Sequence, residues 1–295
     1  TGSAAARIGG GGILLRHGNL TLNNVEIVNN IALSTGNNGG LGGGIRVSDA
    51  SGDDPPNINT LIANNITVTN NETQRNQDSG AGGGGIAMLA NTVATIRNSQ
   101  ITNNTTASRG GGLYIDGNAT GQATVTLENV QVENNRAESP TYTPAKAASD
   151  TTNNRSGGRN GGGIANMGNL TFTGGTLKNN VAQVDGGGLF AINATTLIDD
   201  VDVWENIALY RRGGGFYNYG GILTIRNSDL YANEARTISY GLENAYPVLD
   251  NFSFPSGGLA LQSHRPNLAQ LEPVEHSDQF RLQCGLWVVI AKYPA

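Results

Sequence analysis

The chain has 295 residues, 43 of them glycine, with only 14% charged residues and a formal net charge of −5. It has three lysines, Lys146, Lys178 and Lys292, and no basic patch interleaved with aromatics, which argues against a nucleic-acid partner. No apolar run reaches the ~18 residues of a membrane-crossing helix, and the single cysteine, Cys284, excludes an internal disulfide framework.

In chain order, the start TGSAAARIGG lacks the apolar core of a signal peptide. Thr1–Arg7 is too short to cover a coil, so no N-terminal cap is expected. Either the chain belongs to something longer or another subunit covers that end. A glycine run closed by an aliphatic residue follows, Gly12-Ile13, and then the block Leu20 to Asn30, LTLNNVEIVNN. The block returns at Leu61, Ala94, Val125, Leu170, Thr196 and Leu223, always with the same length. A glycine run precedes each copy, at Gly44-Ile45, Gly85-Ile86, Gly112-Leu113, Gly163-Ile164, Gly188-Leu189 and Gly215-Phe216. An eighth start, Gly258-Leu259, has no block after it.

Within the block, positions 1, 3, 6 and 8 are mostly apolar, and their alternation with polar neighbours is strand periodicity. Position 5 (Asn24, Asn65, Asn98, Asn129, Gly174, Asp200, Asn227) is a corner, because Asn, Asp and Gly tolerate left-handed backbone. Position 11 is always asparagine: Asn30, Asn71, Asn104, Asn135, Asn180, Asn206 and Asn233. It makes a second corner, and the glycine run starts a third strand.

The same strand order recurs without reversal. The expected fold is therefore all-β, a right-handed parallel β-helix of about seven to eight three-strand coils. Equal residues then stack roughly 4.7–4.9 Å apart, and the position-11 asparagines form a hydrogen-bonded structural ladder. Residues 1–261 are read as the repeat domain and 262–295 as a C-terminal cap or assembly segment.

Insertions fall at two corners. The long ones after the ladder asparagine are 136–160 and 234–256, and those before the block are 48–60 and 116–124. Insertions gathered on one edge of a solenoid suit a binding face for a surface glycan or cell-surface ligand. The tail breaks the pattern and holds an apolar strand, Leu286-Trp287-Val288-Val289-Ile290-Ala291, the candidate cover for the C-terminal end and for assembly.

The GGG-aliphatic start and the aliphatic-x-x-Asn end, as in Ile27-Val28-Asn29-Asn30 and Leu230-Tyr231-Ala232-Asn233, resemble the paired tetrapeptides of the chlamydial polymorphic outer-membrane proteins and related autotransporter passengers. The resemblance covers about residues 8–261 and departs in Gly for Ala and in aliphatic residues for Phe. It implies a secreted or bacterial cell-surface location and a role in adhesion or surface structure.

A carbohydrate-active enzyme is the competing class, a polysaccharide lyase or glycoside hydrolase on a pectinase-like β-helix. Its best cluster is Asp199, Asp200 and Asp202, with Lys178 one coil below. Asp200 reads more simply as a substitute in the corner column, so no catalytic residue is assigned. No cofactor is expected. A zinc site from His264, His276 and Cys284 has no recognised spacing, so no metal is assigned either. The sequons at Asn65, Asn71, Asn104, Asn169 and Asn193 arise easily in an Asn/Thr-rich chain, and corner positions are expected to be inaccessible. The sequence reading is a secreted, non-catalytic structural or adhesive protein able to stack head to tail into an extracellular filament.

Overall fold

The computed structural model describes residues 9–33, 40–48, 58–74, 82–118, 121–143 and 158–236. Four further strands, Leu259–Gln262, Leu271–Pro273, Gln279–Leu282 and Trp287–Val289, are described by their backbone. The chain winds as a right-handed parallel β-helix with three sheets whose pairings are parallel. The first sheet has eight strands, each led by a glycine run, from Ile13–Arg16 to Leu259–Gln262. The second carries the repeat blocks in register, so Leu20 lies beside Leu61, Leu61 beside Ala94 and Val125 beside Leu170. No slip occurs at later coils, where Leu170 meets Thr196 and Thr196 meets Leu223.

The division of the block differs from the sequence expectation in three ways. Position 5 does not separate two strands. The ladder runs through it as one long strand, as in Asn19–Val28 and Asn59–Thr69, and only the last two coils break there. The residue at position 5 does sit in the left-handed region, with φ from 49° at Asn98 to 66° at Gly174. A single such residue bends a strand without ending its pairing.

The second corner belongs to position 10, not to the ladder asparagine. Asn29, Asn70, Asn103, Asn134, Asn179, Glu205 and Ala232 all have positive φ, between 52° and 58°. The third sheet, seven strands of two residues, begins directly after the ladder asparagine, in what reads from the sequence as insertion. Ile31–Ala32, Glu72–Thr73 and Val181–Ala182 are examples.

The interior is filled by positions 1, 3, 6 and 8 of the block and by alternate residues of the glycine-led strands. The aliphatic column Ile27, Val68, Ile101, Val132, Leu177 and Val203 is buried and ends at the half-buried Leu230, whereas Leu22, Ala63, Ile96, Leu127, Phe172, Ile198 and Ile225 are all buried. Each large aliphatic side chain taken from water in this way contributes about 1.5–3 kcal/mol. The first coil is the least enclosed, with Ile13, Leu15, Leu20 and Val25 only partly buried.

The glycine runs are seats rather than hinges. Gly42 has φ +64, and a Cβ there would stand 2.0 Å from the Ile45 carbonyl oxygen. At Gly44 a Cβ would press on the next coil's backbone, 2.9 Å from the Gly85 carbonyl oxygen, and on the Asn71 carboxamide at 3.1 Å. That glycine is where the ladder side chain lies flat across the prism.

Beyond Leu259–Gln262, which extends the glycine-led sheet beside Phe216–Tyr219, the described tail strands form a separate antiparallel sheet. Its last strand, Trp287–Val289, runs alongside Ile222–Arg226 of the last long strand. Leu286 and Ile290, the other assembly candidates, lie outside the described residues.

Candidate functional site

The seven ladder asparagines stand in one column. From Asn30 to Asn206, the backbone N–H and Nδ2 of each donate to Oδ1 of the asparagine one coil onward. Asn71 gives 2.9 and 3.0 Å to Asn104, and Asn104 gives 3.0 Å twice to Asn135. The pattern continues through Asn180 and Asn206 to Asn233. The second Nδ2 proton goes backward to a backbone carbonyl of the preceding coil, as from Asn104 to Val68 at 2.9 Å and from Asn206 to Leu177 at 2.7 Å. All but Asn30 are buried. A carboxamide satisfied on both donors and on its acceptor suits burial, whereas a carboxylate would lose the donors. These residues therefore hold the fold and offer no reactive group to solvent.

The outward face of the long-strand sheet carries the groups that chemistry could use. Asp199 accepts from Arg226 at 2.9 Å and from Asn227 at 2.8 Å. The hydrogen bond from Arg226 leads in holding its carboxyl below the usual range, so it is poised as an ionised acceptor rather than a proton donor. Asp200 is the left-handed corner residue, φ 58°. Asp202 lies beside Thr176 in register, and Lys178 lies beside Trp204. The sequence reading set Lys178 one coil below Asp202, but the register sets the two in different columns.

The Lys178 ammonium sits 3.5 Å from the Trp204 ring centroid, and Trp204 stacks on Tyr231 at 5.4 Å and 20°. One column thus runs cation, indole, phenol along the axis, a cation–π contact followed by offset stacking. Burial, then the carboxylates of Asp202, Asp229 and Glu205, push the Tyr231 phenol up. Among the described residues no group of three or more His, Cys, Asp or Glu could hold a metal. His264, His276 and Cys284 lie outside them.

A second cluster was not found from sequence. On the outer face of the glycine-led sheet, Ala165, Phe190, Tyr217 and Tyr219 are buried, with Tyr114 packed against them. Phe190 and Tyr217 stack at 5.6 Å. The Tyr114 hydroxyl donates to Asp116 at 3.1 Å, and burial first, then the Asp116 charge, raises its pKa far above the ordinary phenol value. The root of the 136–160 insertion is pinned to the neighbouring corner. Gln183 accepts from the Ser139 N–H at 2.7 Å and donates back to the Ser139 carbonyl at 3.0 Å. Arg159 lies 4.1 Å from the Tyr142 ring centroid, and Tyr142 leans on Tyr210. The signal for this layer was the aromatic sequence Tyr114, Phe190, Tyr217 at the second place of the glycine-led strands, read only as strand filling.

Of the sequon asparagines, Asn71 and Asn104 are buried ladder members, whereas Asn65 and Asn193 are exposed at left-handed positions. The expectation of an inaccessible corner therefore fails at Asn65, because position 5 faces outward. Residues 144–157 and 237–256 of the two long insertions lie outside the described residues. No helix among the described residues is long and apolar enough to cross a membrane. No family model, curated protein or solved structure matches the chain.

Proposed function

We propose that the chain is a non-catalytic structural or adhesive element of a bacterial cell surface, of the polymorphic-outer-membrane or autotransporter-passenger type. The observation that carries this reading is how the polar residues are spent. The asparagines close the stack upon itself, and Asp199, one of the clustered carboxylates, is occupied by hydrogen bonds from Arg226 and Asn227. Lys178, the base that a lyase would need, lies against Trp204. Seven coils stacked in register make a rod roughly 35 Å long, and the insertions leave the chain at its corners.

Head-to-tail stacking belongs to the same proposal. The partly buried Ile13, Leu15, Leu20 and Val25 of the first coil present apolar surface toward that end, and heterologous contacts that do not close make filaments. Sedimentation of the purified chain over a concentration series, with electron microscopy, tests it. Rods lengthening with concentration are expected, and monomers at every concentration reject the assembly. Glycan depolymerisation that disappears in Asp202→Asn rejects the non-catalytic reading.

A further inference from the structure

The outer face of the long strands contains two neighbouring columns unlike the rest. One is the residue just before each block, where Thr60, Thr124 and Thr195 point outward. The other is position 2, with Thr21, Thr95, Thr126, Thr171 and Thr224. Register is kept from coil to coil, as at Thr124 beside Asn169 and Thr126 beside Thr95 and Thr171. The remaining places hold Asn19, Asn169, Ile62, Val93, Leu197 and Ile222. All of these side chains are exposed or half-buried. No ionisable residue enters either column. The outward positions 4, 7 and 9 beside them carry Arg97, Glu128, Asp202, Asp229, Glu133 and Lys178, among others. Charge is thus excluded from one strip of the face and tolerated on the rest of it.

We infer that this strip binds ice. Strands stacked about 4.8 Å apart, with outward residues about 6.7 Å apart along each strand, make a two-dimensional array. An array of that size is commensurate with the oxygen spacing on a prism face of ice. Threonine is stiff at χ1, so its methyl and hydroxyl hold fixed lattice positions. Among the described residues the hydroxyls of Thr95, Thr126 and Thr171 have no protein partner, which leaves them to bond water. The face and the proposed ligand match in charge, since both are neutral.

Two other partners fit less well. Polysaccharide platforms and protein interfaces draw on aromatic and arginine anchors, and these two columns contain neither. The aromatics of this sheet, Trp204 and Tyr231, stand apart at position 9.

The test uses the full chain. In an ice-recrystallisation assay the native protein should suppress grain growth at micromolar concentration. Thr126→Lys combined with Thr171→Lys should require at least about tenfold more protein for the same suppression. Gln131→Lys, on the same strands but at position 7, should behave as native. Circular dichroism melts of all three should coincide, since the replaced hydroxyls have no partner in the fold. Should the double variant unfold, adsorption of fluorescently labelled native protein to a growing ice hemisphere replaces it. Grain growth equal to an albumin control overturns the inference, as does equal loss in both variants. So does Thr126-dependent capture by microcrystalline cellulose or chitin without an effect on ice. The inference does not depend on self-association: a monomer that suppresses grain growth satisfies it.

Discussion

Two columns of asparagine run the length of this molecule at the same spacing, and they are held to very different standards. At position 11 the side chain is buried in all but the first coil and bonded to its neighbours in the column, and every coil keeps asparagine. At position 5 it is exposed. Bonds there are single and irregular: Asn65 donates to Asn24, Asn98 to Asn64 and Asn129 to Asn98. Glycine and aspartate enter that column at Gly174 and Asp200. Both columns satisfy a local need, but only the inner one is penalised for leaving an amide unpaired, because water reaches the other. The residue type is therefore set by burial, and the left-handed backbone at position 5 selects only from the small group that tolerates it.

The sharpest way to break this comparison is to remove one inner asparagine. Asn104→Ala strands the two Asn71 donors and removes the amide donor to the Val68 carbonyl, leaving Asn135 only the backbone N–H, and should cost about 3–5 kcal/mol in urea unfolding. A loss under about 1 kcal/mol would show that water replaces the ladder. Next in size is Gly112→Ala, whose Cβ would stand 3.0 Å from the Asn135 carboxamide carbon and 2.9 Å from the Gly163 carbonyl oxygen. About 1–3 kcal/mol of destabilisation is expected, measured by the same urea midpoint.

Ala232, the left-handed residue of the last coil at φ 52°, departs from a column that mostly holds asparagine. Ala232→Asn should stabilise by about 0.5–1 kcal/mol, read as a rise in melting temperature. On the outer column, Asn98→Gly removes the side chain and keeps the backbone permitted, so the urea midpoint should move by less than about 0.5 kcal/mol. The smallest effect concerns pH. The folded pKa of Asp199 is depressed by Arg226. Its contribution is present above the unfolded carboxylate value and fades as pH falls through the folded one. Asp199→Asn should flatten the acid limb of the stability curve slightly, and a steeper limb would contradict the assignment.

The same contrast explains what could be read from the residues alone. The block length, the apolar columns at positions 1, 3, 6 and 8, and the invariant Asn30-to-Asn233 series together specify the coil, because each is enforced by burial and repeats seven times. The two-residue third strands were missed because two residues carry no periodicity. Their signal was a recurrent small residue two places after the ladder asparagine, as at Ala32, Thr73, Ala137 and Ala182. The corner was placed one residue late because asparagine serves both as the left-handed residue and as the ladder residue, and Asn29-Asn30 and Asn103-Asn104 look alike. Coils six and seven separate the roles, with Glu205-Asn206 and Ala232-Asn233. On the outer face, composition signalled nothing. Lys178, Trp204 and Tyr231 share position 9 of successive blocks, but that place holds Val28, Thr69, Thr102 and Glu133 in the earlier coils, so no residue type marks it and the three meet through strand register.

The direction of the inner amides has a further consequence. In every link the oxygen looks back along the chain, and the donors look forward to the next oxygen. A break between any two coils leaves the forward ladder donors on the earlier surface and their carboxamide oxygen on the later one, with one backward amide donor and its backbone carbonyl the other way round. Severed halves of the rod therefore restore the ladder in one polarity alone, because only that polarity sets each forward donor against an oxygen and each backward donor against a carbonyl.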